Sequence, residues 1–494
     1  MDRNEISLKA SEYGLILSSV ALDRMVELKL DSEAILKAAK DSGEWFIGPE
    51  YIEERIAGGK AVDEQKVEVV RESKLSSRDI ESRLVIRDDS DVSGKSTCSG
   101  VIDDFVRYFN VRYENLKGVL QERIDYSAPI TIAELRKSGH KGKGRIVCMV
   151  REKRESGKGN RFLVVEDQTG ELTVLVQEKN DSVRASYERI LHDEVIGVEG
   201  ILMGDLFIAS EIIPPDIPLN HPRHYADEEV YAVFMSDIHV GSYLFLEREF
   251  QNFIDWLKGK GNRDDISSKV KYIFVAGDLV DGIGIYPSQE KELTIPDIYR
   301  QYEFLSLLLS EIPEHIEVVL GMGNHDAVRN AEPQPRIGKD LAPHLYSLPN
   351  VHITGNPCRF SAHGVEFLMY HGTSLDTVIG SLSGGSYNRP EAAMIELLKR
   401  RNLVPAYGSD SISPEERDYL FIKDVPDVLH CGHVHTNGYA LYKGVNIINS
   451  GTWQAKTAYQ ERLGHQPTPA LVPVMDLQNH EVSMLDFSKD GRTH

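Results

Sequence analysis

The chain has 494 residues, enough for two to four domains with ample core. An apolar content of 41% with 27% charged residues is that of a globular protein. The net charge of −21 excludes a protein that coats nucleic acid by bulk electrostatics, so any grip on a phosphate backbone has to come from a local basic patch or from bound metal.

The four cysteines, Cys98, Cys148, Cys358 and Cys431, form no CxxC pair. That argues against a disulfide framework or a zinc knuckle and fits a reducing cytoplasm. The apolar run "YGLILSSVAL" is too short to span a bilayer and no basic stretch with a cleavage site precedes it. Neither a signal peptide nor a membrane anchor is expected.

Residues 1–71 read as a helical module. "ASEYGLILSSVALDRMVEL" and "DSEAILKAAKDSGEW" carry apolar residues at three- and four-residue spacing, and Asp31 or Ser32 can cap the second. Residues 72–100 are rich in Ser, Asp, Glu and Arg with few large apolar side chains, and are expected to be a flexible linker. Residues 101–225 then hold a helix, with Phe105, Tyr108, Phe109, Tyr113 and Leu116 on one face as core, followed by β-structure. Three strands, a short helix and two strands, with a hairpin turn at Gln168-Thr169-Gly170, is the order of an OB-fold barrel, which often holds single strands.

The same region carries a basic concentration: Arg136, Lys137, Lys141, Lys143, Arg145, Arg151, Lys153, Arg154, Lys158 and Arg161, opposed within that stretch only by Glu152 and Glu155. Against so acidic a background it is expected to touch a nucleic-acid backbone. A proline-rich connector, "IIPPDIPLNHPRHYADEE", ends near residue 225. Beyond it, residues 226–494 alternate apolar β-runs with amphipathic helices, an α/β layer pattern.

In that half one event recurs five times: a buried-type strand ends, and metal-ligand residue types follow. "VYAVFMSDIHVG" delivers Asp237 and His239, "KYIFVAGDLVDG" delivers Asp278 and Asp281, and "IEVVLGMGNHD" delivers Asn324, His325 and Asp326. "VEFLMYHG" delivers His371, and "VPDVLHCGHVH" delivers His433 and His435. In α/β sheets ligands collect at the carboxyl ends of strands. Carboxylate, imidazole and amide oxygen without thiolate suit Mn²⁺, Fe²⁺ or Zn²⁺, and the set is too large for one ion. Two ions sharing a carboxylate could activate water at neutral pH and clamp a phosphoryl centre. His344, His352 and His363 match no such position, and Cys431 lacks a base beside it; all four are expected to be structural.

The pattern DxH, GDxxD, GNHD, H, GHxH resembles the signature of the calcineurin-like metallophosphoesterases over about residues 230 to 455. The resemblance implies an αββα sandwich in which Asp237, His239 and His435 hold one metal and Asn324, His371 and His433 the other. It also implies that Asp278 bridges them, that His325 protonates the leaving oxygen with Asp326 orienting it, and that Asp281 stands behind the ligands. Mn²⁺ is the expected metal, with Fe²⁺ or Zn²⁺ as alternatives.

The order of helical module, linker, OB-like domain and phosphoesterase domain resembles the small subunits of archaeal family D DNA polymerase (DNA polymerase II), as do "DDFVRYFNVRYENL", "GNHDAVRNAEPQP" and "LLKRRNLVPAYGSD". That resemblance implies a 3′–5′ exonuclease that proofreads for a separate large catalytic subunit, acting on single-stranded 3′ ends of DNA in the cytoplasm at the nucleoid. It implies that Lys141, Lys143, Arg145, Arg151, Lys153, Arg154, Lys158 and Arg161 guide the strand. Two rivals remain: a phosphoesterase of small or protein substrates, and a non-catalytic assembly subunit. Residues 282–300 and 380–418 read as insertions that could dock a partner or act as a lid.

Overall fold

The computed structural model describes residues 3–48, 51, 52, 55, 76–123, 126, 128–137, 143–157 and 159–488. Among the described residues the N-terminal module contains α1 (Arg3–Glu12), α2 (Ser19–Glu27) and α3 (Ser32–Asp41), packed on a core of its own. The first expected helical stretch is broken: Gly14 turns at φ +73°, Ile16–Leu17 (β1) pair in parallel with Phe46–Ile47 (β2), and the Ser18 side chain caps α2. Asp31 caps α3 as expected, its carboxylate accepting from Ala34 N.

The stretch expected as a flexible linker is ordered over residues 76–100. Leu84–Ile86 (β3) add an antiparallel strand to a sheet of the C-terminal half. Asp91 accepts from Gly355 N at 2.9 Å, and Ser96 Oγ and Thr97 N donate to Glu415 at 2.6 and 3.0 Å. Composition under-reads such a segment because a few apolar side chains, Ile80, Leu84, Ile86 and Val92, are supplemented by backbone pairing and polar contacts from distant residues.

Helix α4 (Ile102–Glu122) leads to a closed five-stranded barrel of β4 (Lys143–Glu155), β5 (Arg161–Asp167), β6 (Gly170–Val176), β7 (Val195–Met203) and β8 (Leu206–Ile213), with helix α5 (Asp181–Arg189) between β6 and β7. The parallel pairing of β6 with β8 closes it. Tyr126 lies against the barrel wall, donating to Ile146 O at 2.5 Å, and Gly197 makes room for it: a Cβ there would stand 2.7 Å from its ring. Tyr108, Tyr113 and Leu116 of α4 are buried as expected, while Phe105 and Phe109 are half-buried against Tyr407.

The remainder is two six-stranded sheets. The first contains the parallel strands β9 (Tyr231–Met235), β10 (Val270–Val275), β11 (Glu317–Leu320) and β12 (Val351–Ile353), with β18 (Leu471–Asp476) and β19 (Val482–Asp486) antiparallel beyond β9. The second runs in the order β16 (Gly438–Tyr442), β17 (Val445–Asn449), β15 (Val428–Cys431), β14 (Val365–Met369), β13 (Cys358–Ala362), β3. Their inner faces share one apolar core in which Phe274 packs on Phe360 and Phe367 at 4.6 and 4.8 Å.

The outer face of the first sheet is covered by α6 (Glu247–Leu257) and α7 (Ile298–Ser310), that of the second by α8 (Leu375–Ser381) and α9 (Pro390–Arg400). A strand covered on both faces has no polar side, and all six residues of β10 are buried. The N-terminal module rests on α7, with Phe46 on Phe304 at 4.6 Å and Arg300 over the Trp45 ring at 4.5 Å.

Buried ion pairs join barrel to sheets. Arg400 of α9 reaches Glu194 beside β7 at 2.7 Å and Glu396 at 2.6 Å, and Arg112 of α4 reaches Asp418 at 3.2 Å.

Candidate metal centre

All five ligand-bearing loops follow the C-terminal ends of strands: β9, β10 and β11 of the first sheet, and β14 and β15 of the second. Because parallel strands within each sheet end on the same side, stacking the two sheets converges the loops. The turns are sharp. Asp237, His239, Asp278, His433 and His435 all have positive φ, between +50° and +68°, a conformation that costs an L-residue about 1–3 kcal/mol and persists where the surroundings dictate it. Gly323 and Gly432 allow the closest approaches: a Cβ at the first would stand 2.2 Å from Asp278 Oδ1, and at the second 2.6 Å from Asp237 Oδ2.

Three overlapping groups of ligand atoms result. Asp237, His239 and His435 form one; Asp278, His371 and His433 form another, with Asn324 Oδ1 3.0 Å from His371 Nε2; His239, Asp278 and His325 form a third that links them. In the first group His239 Nε2 and His435 Nε2 are 3.1 Å apart, and Asp237 Oδ1 is 3.3 Å from the latter. Asp278 faces the first two groups: Oδ2 lies 3.3 Å from His371 Nε2 and 3.8 Å from His239 Nε2, while Oδ1 accepts from His325 N at 2.8 Å.

Each imidazole is held from behind. His239 Nδ1 is 3.0 Å from Asp281 Oδ1, His371 Nδ1 is 2.7 Å from Ala276 O, His435 Nδ1 is 2.9 Å from Gln460 Nε2, and His433 Nε2 is 3.0 Å from Asp376 Oδ2. Nδ1 is therefore the His433 nitrogen left for the cluster.

Burial works against charge throughout this cluster; it prevails at His435 and His325, whose imidazoles are lowered, whereas opposite charges prevail at His239, His371, Asp237 and Asp278. Asp278 and Asp281 carry His239 up to about 9, and Asp278 carries His371 up to about 10. Those imidazoles in turn hold Asp278 well below the usual carboxylate range, as His435 holds Asp237 below it. The chemistry fits divalent ions. Asp237 Oδ1 is buried with no described donor aligned on it, the imidazole nitrogens face one another, and all donors are nitrogen or oxygen. Divalent ions would compete with protons for these imidazoles and carboxylates.

His325 sits at the edge of the cluster, half-buried, with Nδ1 2.8 Å from the main-chain oxygen of Asp281. The expectation that Asp326 orients it is corrected by the structure. Asp326 accepts from Gly323 N at 2.9 Å, Leu279 N at 3.3 Å and Tyr302 OH at 3.1 Å, so it ties two ligand loops to α7. Burial and the nearby Asp278 carboxylate push it up to about 7.

Gln460, Asp376, Gln289 and Gln454 were missed by sequence reasoning; the last two donate to Asp281 at 3.0 and 3.2 Å. Gln460 has a local signal, since Thr457 and Gln460 form the capping box of α10 (Ala458–Leu463). The others have none. His344, His352 and His363 belong to none of the ligand groups, and Cys431 is buried, with burial pushing its thiol well up.

The basic concentration on the barrel changes character on folding. Lys143 and Arg145 both pair with Glu199 at 2.9 Å, Arg151 pairs with Glu171, Arg154 with Glu152 at 2.5 Å and Arg161 with Glu188 at 3.0 Å. Lys153 lies over the Tyr187 ring and donates to Ile190 O, and burial lowers its ammonium. The surface is less cationic than its sequence because Glu171, Glu188 and Glu199 arrive from other elements. Lys141 and Lys158 lie outside the described residues.

Residues 232–439 match the family model for the B subunit of DNA polymerase alpha/epsilon. Among curated proteins named DNA polymerase II small subunit, that of Methanothermobacter thermautotrophicus is 38% identical over 496 residues, spanning 98% of this chain and all of that protein. Those of Archaeoglobus fulgidus and Methanocaldococcus jannaschii are 43% and 42% identical, covering 83% and 82% of this chain and 81% and 68% of their own lengths.

Proposed function

The chain belongs to the family of small subunits of archaeal DNA polymerase II, a membership that implies a large catalytic subunit as partner, and we propose that it is the complex's 3′–5′ exonuclease. In this reading the barrel is an OB fold, the two sheets with their helices are a calcineurin-like metallophosphoesterase sandwich, and residues 226–494 are the nuclease domain. The protein works in the cytoplasm, at the nucleoid. The observation that carries the reading is Asp278, whose one carboxylate oxygen faces both His239 and His371 and so the first two ligand groups.

Asp237, His239 and His435 would hold one divalent ion, and Asn324, His371 and His433 the second, with Asp278 shared. Mn²⁺ is the best match, and Fe²⁺ or Zn²⁺ share the donor set. When bound, such a pair supplies Lewis-acid activation of water and neutralises charge on the phosphoryl oxygens. The protein's own contribution is positional. The carbonyl of Asp281 accepts from Nδ1–H of His325, so Nε2 is the ring atom free to act, and it can hand a proton to the departing 3′-oxygen only in the imidazolium form, which burial of the ring disfavours. Asp281, Ala276, Gln460 and Asp376 fix the ligand rings, so no reorganisation is needed when a phosphodiester enters.

The acid-paired surface of the barrel favours a second reading of how DNA arrives: the barrel acts as a spacer, and the large subunit delivers the strand.

The test is Mn²⁺-dependent shortening of a primer with a 3′-mismatch, with and without the large subunit. Removal of single nucleotides from the 3′ end, lost in Asp278→Asn and His435→Ala with the fold intact, supports the reading. Full activity in both variants, or none in the wild-type complex, overturns it.

A further inference from the structure

Two loops that carry ligands continue into an exposed apolar strip. Just after His239, Tyr243 is 53% exposed; just after Asp281, Ile283, Ile285 and Tyr286 are 46%, 37% and 37% exposed. Large apolar side chains held in water at the lip of a polar centre usually mark a binding surface.

The strip is built rather than loose. Gln289 donates from Nε2 to Asp281 O at 2.8 Å and accepts from Ile285 N at 3.0 Å. Gln301 of α7 accepts from Gly282 N at 2.9 Å and donates to Gly282 O and Ile295 O at 3.1 and 2.8 Å. Both glutamines are fully buried. Glu292 joins the two loops, its carboxylate taking Tyr286 OH and its main-chain oxygen taking Tyr243 N, both at 3.0 Å. The strip is also next to the proton carrier. A Cβ on Gly282 would stand 2.3 Å from His325 O and 3.1 Å from Ile285 Cδ1, so these two residues flank it.

Charge selects the occupant. Residues 282–297 contain Glu290, Glu292 and Asp297 against the single cation Lys291, which suits a nucleobase and repels a phosphate. Resting on the exonuclease reading, we propose that Tyr243, Ile283, Ile285 and Tyr286 form a stacking platform for unpaired nucleobases at the 3′ end. The platform binds ends whose bases are free to stack and discriminates against ends whose bases are engaged in a duplex. Because the buried glutamines order the loop beforehand, little conformational entropy is lost when a base lands on it.

The test uses the full chain with its large subunit and Mn²⁺. Primers carry two unpaired 3′-terminal residues, either normal nucleotides or abasic tetrahydrofuran residues, and KM and kcat are measured separately. Wild type should show a KM about tenfold lower per stacked base on the normal end, from base–aromatic stacking of about 1–3 kcal/mol. Tyr243→Ala with Tyr286→Ala should bring the ratio of the two KM values close to one, whereas Tyr286→Phe, which keeps the ring, should preserve it. Equal KM values on both ends in wild type, or an undiminished ratio in the double alanine variant, overturns the platform alone. Failure of wild type to shorten either primer overturns the exonuclease reading itself, and the platform with it.

Discussion

The imidazole of His325 hangs from the main-chain oxygen of Asp281, 2.8 Å from Nδ1, and not from the carboxylate of its neighbour Asp326. A backbone carbonyl cannot titrate, so the ring's tautomer is set independently of pH. If His325 is the proton donor, His325→Ala should lower kcat by about 10²–10⁴-fold. Asp326→Asn, which retains acceptor capacity in its loop, should stay within about tenfold of wild type while lowering the thermal midpoint. Single-turnover rates for both variants check this; an equal collapse in Asp326→Asn would return Asp326 to the reaction.

Asp376 fixes the His433 ring through Nε2 at 3.0 Å. Carboxylates placed behind metal-binding imidazoles typically strengthen metal affinity 10- to 100-fold. Asp376→Ala should therefore weaken one of two Mn²⁺ sites by about that factor and leave the other unchanged. Calorimetric titration of metal-free protein separates the two, and uniform weakening of both sites would contradict the two-site assignment.

Glu199 pairs with both Lys143 and Arg145 on the barrel. Glu199→Gln should add one net positive charge to this face, tighten binding to single-stranded DNA and steepen its salt dependence by about 0.7 per phosphate newly contacted. Fluorescence anisotropy across a salt series reads both. An unchanged slope would remove the barrel face from the DNA path.

Arg400 is buried between Glu194 of the barrel segment and Glu396 of α9. Burial raises the Glu194 carboxyl, whereas Arg400 overcomes burial at Glu396 and holds that group down at about 2. Arg400→Ala would strand the buried Glu194 carboxylate, while Glu396 keeps Arg189 and Lys399, and should cost about 3–5 kcal/mol. Scanning calorimetry should show a lower midpoint and, because the contact crosses between barrel and sheets, separation of their transitions.

His430 of β15 is fully buried against the Phe234 ring, with Nε2 3.0 Å from Ser450 Oγ, and burial lowers its imidazole to about 3. An unfolded-chain histidine titrates near 6.5. Between those values the unfolded state binds a proton that the folded state refuses, so this residue's contribution to stability falls as pH falls. Relative to His430→Asn, wild type should lose about 2 kcal/mol between pH 7 and pH 5. Raised carboxyls such as Glu332, pushed up to about 7 by burial, act in the opposite direction and cancel in the comparison. Chemical denaturation of both proteins in EDTA at the two pH values checks it.

What the amino-acid sequence determined by itself is whatever a strand and its own following turn encode. Asp237 and His239, Asp278, Asn324, His371, His433 and His435 were legible because each lies within a few residues of a strand's carboxyl end, and parallel strands in stacked sheets bring such ends together. The strand order of the barrel and the capping of α3 by Asp31 were legible for the same local reason.

Tertiary structure decided everything that depends on partners from elsewhere in the chain. Asp326 was assigned to its sequence neighbour, yet the loop turns its carboxylate to Gly323, Leu279 and Tyr302. A basic run opposed locally by only two glutamates meets Glu171, Glu188 and Glu199 once the barrel closes. Leu84–Ile86, a short apolar run inside a polar segment, become an edge strand by pairing with β13 and packing on the core between the sheets. Hydrogen bonds and ion pairs reach only a few ångströms, so their partners are chosen by proximity in the fold, and periodicity along the chain carries no record of that choice.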